Sequence, residues 1–155
     1  MANKKKKPAS MKVAKAKPQP KQTKEELLKD FKEVMKITVE NTIQGYTEHT
    51  KYATILQDAY VFFGPNTSIQ DHDQVVKDTM KHIISLLEDI KKRIEDLTVK
   101  KAQTTTDLIY SVCGTYDENK SITDIFKGYM AEKAIMKIND SYFQLLNELY
   151  MAKDE

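Results

Sequence analysis

Residues 75–97 read VVKDTMKHIISLLEDIKKRIEDL. Within this stretch Val76, Met80, Ile83, Leu87, Ile90, Ile94 and Leu97 follow one another at alternating spacings of four and three. On an α-helix that alternation stacks the seven side chains into one narrow seam, the a/d pattern by which helices pack against helices. The positions between them are largely charged, with Glu88-Asp89 and Glu95-Asp96 set among Lys91, Lys92 and Arg93, which is the pattern of a solvated face. The stretch predicts a long helix that needs partner helices, and therefore an all-α fold.

Beyond Leu97 the seam slips. Lys101 and Thr104-Thr105-Thr106 interrupt it before Leu108, Ile109 and Val112, and the eleven residues from Leu97 to Leu108 read as a local stutter. Gly114 is expected to end this second helix in the C′ position. Upstream, Thr23-Lys24-Glu25-Glu26 is a capping box that starts a first helix, with Thr23 at the N-cap and Glu26 at N3. Its apolar face runs through Leu28, Phe31 and Met35, weakens at Thr38 and Thr42, and resumes at Tyr46, Ala53, Leu56, Tyr60 and Phe63. Gly64-Pro65 stops it. Gly45 lies inside it at a cost of about 1 kcal/mol relative to Ala, so 38–47 is the expected place for a kink or break.

After the polar segment Thr115–Lys120, Ser121 caps a third helix. Its apolar residues include Ile122, Phe126, Tyr129, Met130, Met136, Ile138, Tyr142, Phe143, Leu146, Leu149 and Tyr150. A stripe this broad suits a helix with two neighbours. The expected architecture is an elongated antiparallel three-helix bundle with coiled-coil character, or four helices if the first breaks near Gly45. The division is residues 1–22 as a disordered Lys-rich tail and 23–155 as the bundle domain.

The 155 residues carry a net charge of +2, which hides a division. Residues 1–24 contain nine lysines and no acid, so the remainder stands at −7. Lys4, Lys5, Lys6 and Lys7 precede Pro8, and Lys12, Lys15 and Lys17 continue the run. Such an arm neutralises polyanion phosphates or serves as an import signal; its plain alternative is a solubilising terminus. It offers no Arg or aromatic side chain for reading bases. Arg93 is the only arginine against twenty-four lysines, which fits an AT-rich coding genome. No apolar run approaches the ~18 residues of a membrane span, and the basic start is not followed by a signal-peptide core.

Catalytic and metal-ligating patterns are weak. Asp71-His72-Asp73 and the pair Asp78/His82 bring ligand types together, yet neither a His-Glu-x-x-His nor a Glu-x-x-His repeat is present. Acids at a helix start account for Asp71 and Asp73. Cys113, the single cysteine, forms no intramolecular disulfide and reads as a structural thiol. Asp117-Glu118-Asn119 lacks the spacing of a calcium loop. No cofactor, metal site or catalytic set is expected.

A geometric expectation concerns partners. If short turns near residues 66 and 117 make sequential helices antiparallel, the third helix ends level with about residue 83 of the second. A two-helix tip of about 50–82 then projects uncovered, and its side chains Tyr52, Leu56, Tyr60, Phe62, Phe63 and Val76 form an interface for another protein or a second copy. The alternative is that a break at Gly45 folds the second half of helix 1 back to cover them. The function read from these features is a non-enzymatic helical interaction or assembly protein, intracellular, with nucleus, cytoplasm and virion left open. A viral or phage structural or accessory role fits. One alternative is a small regulator or inhibitor that binds a single partner; another is a bundle enzyme or metal carrier.

Overall fold

The computed structural model describes residues 22–64, 69–114 and 121–153. Residues 1–21, 65–68, 115–120 and 154–155 lie outside the described residues, and with them the Lys-rich arm and the Asp117–Asn119 segment. The fold is an all-α helical bundle. Its elements are α1 (Lys24–Thr47), α2 (Tyr52–Phe63), α3 (Ile69–Glu95), α4 (Val99–Thr104), a 3-10 helix (Tyr110–Cys113) and α5 (Ile122–Met151).

α1 starts as its capping box requires. The Thr23 hydroxyl accepts from the Glu26 N–H, and the Glu26 carboxylate accepts from the Thr23 N–H at 2.9 Å. Its end is a Schellman turn. The Thr50 N–H donates to the Gly45 carbonyl at 3.0 Å, and the His49 N–H to the Tyr46 carbonyl at 3.2 Å. His49 occupies the left-handed C′ position with φ 63°. The helix therefore breaks, at 48–51, just past the region the sequence marks. Gly45 stays within α1, one turn before the end, where an added Cβ would stand 3.4 Å from the Thr50 hydroxyl. α2 does not fold back. It continues in the direction of α1 until Gly64, at φ 80°, stops it.

α3 runs antiparallel to both. Lys32 donates to the Glu95 carbonyl, Glu40 pairs with Lys91 at 2.9 Å, and the Tyr60 ring lies 4.3 Å from that of His72. All seven seam residues, Val76 through Leu97, are buried, and Val39, Ile55 and Ala59 of the facing helices are buried with them. α5 also runs antiparallel to α1 and α2. Phe31 meets Tyr142, Asp58 meets Lys133 and Phe62 meets Phe126, so rising numbers on one side meet falling numbers on the other.

α3 and α5 consequently point the same way. This corrects the expected up-down-up course of the last helix. The cause is the early end of α3. The second helix stops at Glu95 and does not run on to Gly114, because Thr98 caps a new short helix by accepting from the Lys101 N–H at 3.1 Å. Residues 96–114 then travel back along the bundle. The Tyr142 hydroxyl donates to the Thr105 carbonyl at 2.6 Å, and Arg93 donates to the Leu108 carbonyl at 2.8 Å. Leu97, where the seam ends, and Ala102, Leu108 and Ile109 after it are buried in this return segment. A crossover of that length lets two helices of a bundle run parallel, which a short turn does not.

Candidate interaction surfaces

The tip expected to stand uncovered is covered. α5 starts beside the end of α2, and Phe126 at its first turns is fully buried against Phe62 (5.3 Å between ring centres) and Phe63 (5.2 Å). The structure brings Tyr60, Phe62 and Phe63 together around Phe126 and His72, as an aromatic cap on one end of the bundle. Val76 has no exposed surface and belongs to the core. Leu56, Tyr52 and Phe63 are half-buried and packed on the core. Tyr60 and Phe62 keep 39% and 37% exposure, and Val61 between them is largely open. Of the six interface residues expected from sequence, two therefore present apolar surface, and the uncovered-tip geometry behind the set does not hold.

Apolar exposure concentrates on α5. Ile122 (58%), Tyr129 (54%), Met136 (49%), Phe143 (43%) and Tyr150 (68%) are all exposed. The five stand seven residues apart, through four successive intervals. On a helix a period of seven returns close to the same face, so the five form one line along the outside of the bundle. The broad stripe read from sequence is thus two stripes. Phe126, Met130, Ile135, Ile138, Tyr142, Leu145 and Leu149 point into the core, and the seven-spaced set points outward. The signal for this division was present in the spacing, but it separates from the core stripe only once the inner face is known.

Two clefts accompany this face. One of about 330 Å³ lies where α1 breaks, between Thr38, Thr42, Lys51 and Thr54 on one side and Met130, Lys133 and Lys137 on the other. Asp58 lines it and pairs with Lys133 at 3.4 Å. The second, of about 270 Å³, lies between α1 and the end of α5, with Leu27, Phe31, Val34 and Leu145 in its wall. Val34 and Ile37 remain exposed on α1 beside it.

The charged groups serve structure. The hydrogen bond from Lys91 holds the Glu40 carboxyl below its ordinary range and ties α1 to α3 at the surface. The Tyr52 hydroxyl donates to Asp73, and this bond, followed by that from Lys77, lowers the Asp73 carboxyl. Burial, with a smaller contribution from Glu132, pushes the Cys113 thiol up, away from the thiolate a nucleophile needs. No cluster of three or more His, Cys, Asp or Glu side chains is placed to hold a metal among the described residues. His72 is packed against Tyr60 and Phe63, and the Asp71 side chain lies outside the described residues. No described helix is long and apolar enough to cross a membrane. Comparison with family models, curated proteins and solved structures gives no match.

Proposed function

We propose that this chain is a non-enzymatic interaction and assembly protein that engages protein surface through the outer face of α5. Its basic arm adds polyanion contact or targeting. The observation that supports this reading is the outward line Ile122, Tyr129, Met136, Phe143 and Tyr150, with between 43% and 68% of each residue in water. A solvated helix face carries charge at such positions. An ordered line of large apolar side chains on a folded surface is the mark of a partner site. Its aromatic members are the residue types that carry most of the energy in protein interfaces.

The arm reading rests on charge. With residues 25–155 at −7, the body repels phosphate, so any nucleic-acid contact falls to the nine lysines that precede it. A structural or accessory role in a viral or phage particle is one form of this reading, and the lysine-for-arginine bias fits it.

Affinity capture of native complexes, with and without nuclease, tests both parts. Full-length protein is compared with Tyr129→Glu and with a chain lacking residues 1–21. The expected result is a protein partner retained after nuclease treatment and lost with Tyr129→Glu, together with nucleic acid lost on tail deletion. Identical recoveries from the full chain and Tyr129→Glu overturn the α5 assignment. Undiminished nucleic acid on the tail-deleted chain overturns the arm assignment.

A further inference from the structure

The outer line of α5 is symmetric about its own midpoint, and that symmetry identifies a partner. We propose that a second copy of this chain docks on this face, with the two α5 helices antiparallel about a two-fold axis through Met136. The inference rests on the interaction reading above and names its occupant.

The line has Met136 at its centre, Tyr129 and Phe143 seven residues to either side, and Ile122 and Tyr150 at its ends. Antiparallel pairing sets Met136 against Met136 of the second copy, Tyr129 against Phe143, and Ile122 against Tyr150. Every large apolar side chain of the face then meets another. A two-fold axis makes one surface patch complementary to itself, the commonest way that copies of one chain associate.

The charges between the apolar positions decide the direction. Lys133 and Asp140 lie three residues before and four after Met136, which puts both on the same flank of the line. Rotation about the two-fold brings Lys133 to within one residue, about 1.5 Å along the axis, of Asp140 of the second copy. The pair forms twice. Parallel pairing in register instead puts the flanks that carry Lys133 and Asp140 on opposite sides of the interface, so Lys133 of one copy does not meet Asp140 of the other and the pair is lost. Lys133 is already poised on this face, 5.5 Å over the Tyr129 ring and 3.4 Å from Asp58. Asp140 is exposed and makes no ion pair among the described residues. Glu132 lies on the opposite flank, away from Asp140 of the other copy.

The extent of the face suits a stable contact. The line from Ile122 to Tyr150 is about 42 Å long. A helix pair in contact over that length, with five large side chains from each copy, approaches the roughly 800 Å² per partner of specific interfaces. A strict period of seven drifts about 20° per heptad on a straight helix, so the two helices wrap left-handedly to keep the line in contact.

Sedimentation equilibrium and directed cross-linking of the full-length chain test this. The expected result is a concentration-dependent dimer that Met136→Glu dissociates with helicity retained. In a Cys113→Ser background, Met136→Cys should oxidise to a covalent dimer. Tyr129→Cys should fail to couple to itself, about 21 Å away across the two-fold, yet couple when mixed with Phe143→Cys. Lys133→Asp should weaken the dimer by about tenfold or more, and Lys133→Asp with Asp140→Lys should restore it. A monomer up to about 1 mM, or coupling of Tyr129→Cys to itself, overturns the proposal. If the chain is monomeric while Tyr129→Glu still removes a captured partner, the self-pairing is wrong and the interaction reading stands.

Discussion

The Arg93 guanidinium donates to the Leu108 carbonyl at 2.8 Å and reaches the Ser111 hydroxyl with the same nitrogen. Its other terminal nitrogen pairs with Asp89 at 3.5 Å. The single arginine of the chain thus clamps the return segment to α3, and this clamp accompanies the reversal that lets α5 run parallel to α3. A planar fork with several donors holds such a set of acceptors; an ammonium on a flexible stem does not. Arg93→Lys should lower stability by about 1–2 kcal/mol in urea unfolding, and Arg93→Ala by about 2–3 kcal/mol. Lys92→Ala, on the neighbouring solvated position, should change it by about 0.5 kcal/mol or less.

Tyr142 fastens α5 to the same segment, and burial raises its hydroxyl to about 12. The folded state prefers the protonated phenol. Its contribution is therefore complete below the unfolded value near 10 and is lost as pH rises from there toward 12. Stability measured between pH 8 and 12 should fall more steeply for the natural chain than for Tyr142→Phe. At neutral pH that variant should itself be weaker by about 1–2 kcal/mol, since the Thr105 carbonyl loses its donor. Superimposable pH profiles would show that the other raised tyrosines, Tyr46, Tyr52 and Tyr110, account for the alkaline loss.

His49 holds a left-handed conformation that glycine adopts without strain. His49→Gly should stabilise the chain by up to about 1 kcal/mol, the gain in strain being partly offset by a more flexible unfolded state. His49→Val should destabilise it by about 1–2 kcal/mol, because a β-branched side chain is least tolerated there. Thermal melts of the two variants should move in opposite directions.

Leu87 lies at the middle of the buried seam, and Lys91, one turn on, reaches outward to Glu40. Leu87→Ala should cost about 2–5 kcal/mol. Lys91→Ala should leave the midpoint nearly unchanged, because its ion pair with Glu40 lies at the surface and is screened by water. Denaturant midpoints distinguish them directly, and equal shifts would contradict the observed register.

Phe62→Asp tests the end cap. The ring sits against Phe63 and Phe126, so a carboxylate there faces aromatic surface without a partner. Loss of about 2–3 kcal/mol of stability is expected. A variant that keeps full stability and loses only association would restore the tip as the docking surface.

Residue spacing and local chemistry by themselves determined the helical class, the seam from Val76 to Leu97, the capping box at Thr23 and the stop at Gly64. Each of these depends on a periodicity or a hydrogen bond within a few residues, which the chain carries in its order. The break of α1 was legible as a region, through Gly45 and its threonines, but the turn itself is completed by His49, a residue with no strong claim to a left-handed position. Only the tertiary structure decided the direction of α5. That direction depends on whether residues 96–114 extend α3 or return along it, and both choices bury Leu97, Leu108 and Ile109. The decision is made by Arg93 and Tyr142 finding carbonyls fifteen and thirty-seven residues away. It also settles which face of α5 is inside, and so separates Ile122, Tyr129, Met136, Phe143 and Tyr150 from a core stripe of the same composition.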